Sequence, residues 1–172
     1  MFNLQVNKAK ICILGLGYIG LPLFNELSKN FYTLGYDINK KRVLELQKGN
    51  DRNNQVKKND LKNIKENILH TNTERLKSIN TFIVTVPTPI FKNKKPNLKM
   101  LIESSKFLSK YLSKGNIVII ESTVFPGVVE EICVPIIEKY SKLRYKKDFF
   151  CGYSPERINP GDELNTIKKI NK

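Results

Sequence analysis

The sequence predicts an α/β protein: a doubly wound, mostly parallel sheet with helices on both faces. Three observations carry that prediction. Short apolar runs alternate with amphipathic helical stretches along the chain, the pattern of parallel strands joined by helical crossovers. The first such run, Lys10-Ile-Cys-Ile-Leu14, opens directly into Gly15-Leu-Gly17-Tyr-Ile-Gly20, which reads as a strand, a tight glycine turn and the start of a helix. Three later runs end in polar loops, at Pro87-Thr88-Pro89, Ser122-Thr123 and Pro155-Glu156. In an open parallel sheet those strand ends gather on the edge where ligands bind.

The elements follow in order. Ile11–Leu14 is apolar and partly β-branched, as a buried parallel strand should be. Gly15 lets the chain leave this strand sharply, Gly17 leaves room for a pyrophosphate beside the backbone, and Gly20 lets the helix pack on the strand. Tyr18 and Ile19 complete the candidate phosphate-binding turn. Leu21, Leu23, Phe24 and Leu27 give the helix an apolar face, and its N-terminal N–H groups and positive dipole end point at the phosphate position. Phe31–Tyr36 is the second strand. Asp37 closes it about 20 residues beyond the central glycine, where a carboxylate accepts from a ribose hydroxyl. Its charge also repels a 2′-phosphate, so the expected cofactor is NAD rather than NADP. Asn39–Gln47 is a helix capped by Asn39. Arg42, in its first turn, reads either as a contact to a nucleotide phosphate or the adenine face, or as a solvated basic residue.

Gly49–Lys58 is polar and helix-poor, Asp60–Asn67 a short helix, Ile68–Thr71 a short strand with His70 near its end, and Thr73–Ile79 a helical turn. Thr81–Val86 is a strong strand that Pro87-Thr88-Pro89 stops, which makes Thr88 a candidate cofactor contact at the ligand-binding edge. After the basic loop Phe91–Pro96 comes an amphipathic helix, Asn97–Leu112, with Gly115 as its terminator. Asn116–Ile120 is a buried strand leading into Glu121-Ser-Thr123-Val-Phe-Pro126-Gly127. Val128–Tyr140 is a helix with a kink expected at Pro135. Asp148–Tyr153 is the last strand, running into Ser154-Pro-Glu-Arg157-Ile-Asn-Pro-Gly161.

Composition narrows the function. The 172 residues suit one domain of ordinary size, read as a dinucleotide-binding Rossmann domain over 1–161 with a polar, lysine-rich tail over 162–172. The net charge of +14 comes from 30 Lys and Arg against 16 Asp and Glu, but the lysines are scattered and no tract joins a basic stripe to stacking aromatics. Nucleic-acid binding is therefore not expected, and a basic surface equally suits anionic nucleotides. Apolar runs fall short of the roughly 20 residues that cross a bilayer, and the N-terminus lacks a signal peptide's layout; no membrane partner is expected and the cytoplasm is the default location. Cys12, Cys133 and Cys151 are too few and too far apart for a zinc site, so no metal is expected and all three read as structural thiols.

Taken together, Gly15-Leu-Gly-Tyr-Ile-Gly-Leu-Pro22, Val86-Pro-Thr-Pro89, Glu121-Ser-Thr-Val124 and Ser154-Pro-Glu-Arg157 resemble the UDP-glucose/GDP-mannose dehydrogenase family. The likeness covers essentially the whole chain as that family's N-terminal, NAD-binding domain. Ile158-Asn-Pro-Gly-Asp162 looks like the branch acting on UDP-N-acetylhexosamines, since Pro160 stands where the UDP-glucose branch usually has a second glutamate. The resemblance implies oxidation of a sugar C6 alcohol to a carboxylate, through an aldehyde and a thioester on a cysteine, for polysaccharide biosynthesis. By position it makes Asp37 the adenosine-ribose carboxylate and Arg42 and Thr88 cofactor contacts. Thr123 becomes the active-site threonine, also near the cofactor, and Glu156 the carboxylate of proton handling and thioester hydrolysis. Glu156, Arg157 and Ile158 would lie along the sugar. The family's cysteine nucleophile lies after this domain, and none of the three cysteines here matches it. The sequence-level expectation is a monomeric, apparently truncated piece that binds NAD and does not turn over alone. The alternative is a non-catalytic nucleotide-binding module.

Overall fold

Side chains along strand β1, Lys10–Leu14, alternate between two buried clusters: Ile11 and Ile13 belong to one, Cys12 and Leu14 to the other. That two-residue period puts apolar residues on both faces of the strand, so β1 needs helices above and below it. The structure is a computed structural model in which residues 8–155 are described. The readings made of Glu156, Arg157, Ile158 and the tail from 162 onward lie outside the described residues.

Strands β2 (Tyr32–Tyr36), β3 (Ile68–Leu69), β4 (Thr81–Val84), β5 (Asn116–Ile120) and β6 (Phe149–Tyr153) join β1 in one sheet of order β3-β2-β1-β4-β5-β6. Every pairing is parallel. The order reverses between β1 and β4, the switch point at which doubly wound sheets open a ligand crevice. On one face α1 (Gly20–Leu27), α2 (Lys40–Gln47) and α3 (Lys58–Ile64) pack through Leu21, Phe24, Val43, Leu46, Leu61 and Ile64. On the other, α4 (Lys99–Ser109) and α5 (Val134–Ser141) bring Leu101, Leu108, Val134 and Ile137 against Phe82, Val118 and Phe149. Among the described residues no helix is long and apolar enough to cross a membrane.

Register, more than the strands themselves, builds the functional edge. Leu14 pairs with Tyr36 and Val84, Tyr36 with Leu69, Val84 with Ile120, and Ile120 with Tyr153. All six strands thus end in one row. The ladder runs one step further through the N–H groups of Gly15, Asp37, Thr85, Glu121 and Ser154, which donate to carbonyls of the neighbouring strands at 2.8–3.1 Å. The residues that begin each loop are thereby tied to the sheet.

Local chemistry explains where the sequence reading and the structure part. Helix α4 ends at Ser109 with Lys110 as its C-cap, so Gly115 does not terminate it; Gly115 instead takes φ +89° in the turn into β5 and donates to the Asp148 carbonyl at 2.7 Å. Strand β3 stops at Leu69 because Asn72 turns the chain through a left-handed conformation, φ 59°, into a 3₁₀ turn, Thr73–Ser78. Pro135 has no N–H for the carbonyl four residues back, and its ring crowds that carbonyl. The chain answers with a π-helical turn, Val129–Cys133, in which the Val134 N–H reaches the Val129 carbonyl. The helix then continues through Pro135 to Ser141.

Candidate dinucleotide site

The glycine turn fits the switch point atom by atom. Gly15 adopts φ +99°, and a Cβ there would lie 3.2 Å from the Thr85 carbonyl oxygen, so the chain leaves β1 by a path that other residues take only under strain. At Gly20 an added Cβ would fall 1.8 Å from the Gly15 carbonyl oxygen and 2.4 Å from Thr85 Oγ1. Helix α1 can start this close to the strand only because Gly20 has no side chain. Gly17 is the opposite case, since nothing lies within 4 Å of an added Cβ. This open space sits at the mouth of α1, where the Leu21 and Leu23 N–H groups already donate to the Gly17 and Ile19 carbonyls at 3.2 Å and Pro22 has no N–H, so the donors left to a ligand are those of the turn itself and of Gly20. Tyr18 is exposed and Ile19 half-buried beside it. A cleared approach over Gly17, beside the backbone N–H groups of the turn and the positive end of α1, suits a pyrophosphate.

Asp37 stands beside this turn at the end of β2. Its Oδ2 accepts from the Leu16 N–H and its Oδ1 from the Asn39 N–H, both at 2.8 Å. The carboxylate is thus oriented from both oxygens while keeping further acceptor capacity for a ribose hydroxyl. Asn39 caps α2 as the sequence indicates, its side chain accepting from the Arg42 N–H at 3.2 Å. His70 Nδ1 lies 3.1 Å from the Asp37 carbonyl oxygen, which places it at the strand edge as a structural neighbour of the turn.

Arg42 is not the solvated residue that one reading of the sequence allowed. It is 6 % exposed. Its Nε donates to the Leu16 carbonyl at 2.9 Å, and its terminal nitrogens pair with Glu45 at 2.9 Å and Asp51 at 2.7 Å. The structure brings it to the back of the glycine turn, bonded to protein groups through all three nitrogens.

The loops after β4 and β5 close over the same edge. Thr88 Oγ1 donates to the Thr123 carbonyl, and Ser122 Oγ to the Val86 carbonyl at 2.6 Å. The single hydroxyl proton of Thr88 is engaged, so toward a ligand its oxygen can only accept. Thr123 is exposed, and the helical run starts only after Val128, its N-cap; Thr123 therefore does not serve as that helix's cap. Ser154 Oγ donates to Glu121 Oε1 at 3.1 Å, tying the end of β6 to the β5 loop. Gly15, Gly17, Gly20, Asp37, Thr88 and Thr123 are brought to one edge, with Arg42 behind it.

Sequence reasoning missed the residues that hold this arrangement. Thr85 Oγ1 lies 3.1 Å from the Leu14 carbonyl and 2.8 Å from the Gly15 carbonyl, filling the notch between β1 and α1. In the sequence it is one more β-branched strand residue, and only the β1–β4 register reveals its role. Leu16 looks like a spacer between glycines, yet it is fully buried and bonded at both its N–H and its carbonyl.

The three cysteines are all reduced, and burial pushes each thiol up, Cys151 to about 12. None has the thiolate character a nucleophile needs near neutral pH. No cluster of metal-ligating side chains occurs among the described residues. A cavity of about 650 Å³ opens between α2 and α3, lined by Glu45, Asp51, Arg52 and Lys58 among others. It includes none of the glycine turn or the strand-end loops, so it lies apart from the switch point.

Fold and site together define a Rossmann-type dinucleotide-binding domain. Residues 9–172 match the model of the UDP-glucose/GDP-mannose dehydrogenase family, NAD binding domain, and the chain belongs to that family, whose cofactor in this domain is NAD. It is 49 % identical over 163 residues to the UDP-N-acetyl-D-glucosamine 6-dehydrogenase of Pseudomonas aeruginosa, a match covering 95 % of this chain and 39 % of that protein. The Salmonella typhi enzyme of the same name is 46 % identical over 168 residues, with 96 % of this chain and 40 % of the relative covered. The solved structure of a UDP-D-ManNAc dehydrogenase from Pyrococcus horikoshii superimposes with a TM-score of 0.80 at 32 % identity, over 88 % of this chain and 37 % of that one. The chain spans about two fifths of the length of these relatives.

Proposed function

We propose that this chain is the cofactor-binding half of a UDP-N-acetylhexosamine 6-dehydrogenase working in the cytoplasm. The observation that carries the reading is the joining of the β4 and β5 loops by Thr88 and Thr123 at the edge that also holds the glycine turn. Gly15, Gly17, Tyr18, Ile19 and Gly20 hold the pyrophosphate, Asp37 accepts from the adenosine ribose, and Thr88 offers a lone pair to the nucleotide. Bound NAD supplies the hydride acceptor for oxidation of the sugar alcohol. Thr123, exposed at the edge, has a hydroxyl that both donates and accepts, which suits it to orient water and the reacting sugar oxygen. Glu156, Arg157 and Ile158 follow directly after the β6 end and are assigned to the sugar by the family resemblance alone.

The covalent step requires an activated thiolate. Buried Cys12 and Cys133 and the raised thiol of Cys151 do not supply one, so the chain binds NAD without turning over by itself. Two experiments test the proposal. The 172-residue chain mixed with NAD and UDP-N-acetylglucosamine is expected to give no absorbance at the NADH wavelength. A chimera in which residues 9–155 replace the matching segment of the Pseudomonas aeruginosa relative is expected to make NADH, and Thr123→Ala in that chimera to lose most of the rate. A folded, NAD-binding chimera without dehydrogenase activity would refute the reading.

A further inference from the structure

Leu16 stands between the first two glycines of the turn, and three separate contacts fix it. Its N–H donates to Asp37 Oδ2 at 2.8 Å, and its carbonyl accepts from Arg42 Nε at 2.9 Å. Its side chain is fully buried over Gly35, where an added Cβ would meet Leu16 Cδ2 at 2.9 Å and Cδ1 at 3.2 Å. The guanidinium that grips the carbonyl is itself held. Arg42 pairs with Glu45 Oε1 and Asp51 Oδ1, and Asp51 in turn accepts from the backbone N–H groups of Asn53, Gln55 and Val56. Glu45 is anchored by the backbone N–H and the guanidinium of Arg52. One ordered chain of charge therefore runs from the α2–α3 loop, through Arg42, to the back of the glycine turn.

We infer that Arg42 is a positioning residue of the cofactor site: it acts on the dinucleotide through the Leu16 carbonyl, by holding the glycine turn in its binding shape, and does not itself reach the phosphates. The physical need is plain. A turn built from glycines has more conformational freedom than any other sequence, and a ligand that must order it binds more weakly. Leu16 is the only residue between Gly15 and Gly17; fixing its N–H, carbonyl and side chain sets the direction of the backbone N–H groups that follow. The planar fork meets the Leu16 carbonyl and two carboxylates from three separate nitrogens, a spread that a single ammonium nitrogen does not reproduce. Lysine, a point charge on a flexible stem, would leave the Leu16 carbonyl less firmly held, although lysine binds phosphate well when it meets it directly.

The inference rests on the reading of Gly15–Gly20 as a pyrophosphate site, and the test separates the two. Binding of NAD, ADP-ribose and adenosine to the 172-residue chain is measured by calorimetry and NMR titration for wild type, Arg42→Lys and Gly35→Ala. The second variant leaves Arg42 and its carboxylates in place and presses on Leu16 from the sheet side. Both variants are expected to weaken NAD and ADP-ribose by about tenfold, the scale of one charge-assisted hydrogen bond, while adenosine, which meets the turn only through the Asp37 that Leu16 helps to orient, loses less, about threefold. Wild-type affinity of Arg42→Lys for ADP-ribose would mark Arg42 as a direct phosphate contact that lysine replaces, and would overturn the inference. Loss of adenosine in step with ADP-ribose would mark a merely structural role and overturn it as well. Failure of the wild-type chain to bind NAD or ADP-ribose would overturn the pyrophosphate reading itself, and this inference with it.

Discussion

Two alanine substitutions, three residues apart, should fail in different ways. At Gly20 the new methyl would sit 1.8 Å from the Gly15 carbonyl oxygen and 2.4 Å from Thr85 Oγ1, about half the separation of ordinary contact. The first of these neighbours is backbone at the end of β1, so relief requires α1 to move away from the sheet. Overpacking of this kind costs about 1–3 kcal/mol, and loss of the Thr85 hydrogen bond to the Gly15 carbonyl adds about 1 kcal/mol. The helix propensity of alanine returns no more than about 1 kcal/mol. The net cost of roughly 1–3 kcal/mol corresponds to a fall in melting temperature of about 2–12 °C. The displaced helix N-terminus, in which Leu21 and Leu23 already donate to backbone and Pro22 has no N–H, should also lose the Gly20 N–H contact to pyrophosphate, on the order of tenfold in affinity. At Gly17 nothing lies within 4 Å of the added methyl and the backbone is outside the left-handed region. Gly17→Ala should therefore keep wild-type stability within about 0.5 kcal/mol while its methyl occupies the space a pyrophosphate needs, with at least a tenfold loss of NAD binding. Thermal melts and NAD calorimetry on both proteins decide the matter. Wild-type melting of Gly20→Ala, or wild-type NAD affinity of Gly17→Ala, would refute the geometry of the turn.

Other consequences follow from named contacts. Asp37→Asn keeps one carbonyl oxygen for two backbone donors and removes the charge; it should weaken NAD about tenfold and narrow the preference over NADP, with an unchanged NAD-to-NADP ratio in calorimetry as the refuting result. Arg52 and Arg42 hold the Glu45 carboxyl at about 2, below its ordinary value of 4.5. A depressed carboxyl adds stability above the unfolded value and loses it as pH falls through the folded one. The stability difference between wild type and Glu45→Gln should thus be constant above pH 5 and shrink between pH 4.5 and 2, as read by urea midpoints; a difference independent of pH would contradict the ion-pair assignment. Burial of Cys12 and Cys133 and the raised Cys151 thiol should keep all three from reacting with a thiol-specific dye at pH 8 until the protein unfolds. Rapid native labelling would show an accessible thiolate and reopen the question of a nucleophile in this chain.

Much of the fold can be read in the sequence because strands and helices here obey local rules. Apolar runs mark the strands, β-branched in β1, β4 and β5 and aromatic in β6, and Asn39 at the start of α2 has the residue type that caps helices. Gly115 misled because a glycine after a helix also serves in any tight turn, and only its +89° backbone with the bond to Asp148 tells which. Pro135 marked a disturbance correctly, but whether the helix kinks or slips into a π turn depends on how Val129, Cys133 and Val134 seat against the sheet. The site divides the same way. Gly15, Gly17, Gly20 and Asp37 are legible because backbone geometry demands those residue types at those spacings. Thr85 and the Arg42–Leu16 contact are not, because each depends on the register of distant segments: β4 beside β1 for Thr85, and the α2–α3 loop behind the glycine turn for Arg42.

A dinucleotide lying across the switch point of this sheet is tested most directly by an ¹⁵N-resolved NMR titration of the 172-residue chain with NAD. Saturable shifts are expected in the amides of Gly15, Leu16, Gly17, Tyr18, Gly20 and Asp37, with smaller ones at Thr88 and Thr123. An absence of shifts at millimolar NAD, or shifts confined to the Gly49–Lys58 loop and its cavity, would contradict that placement.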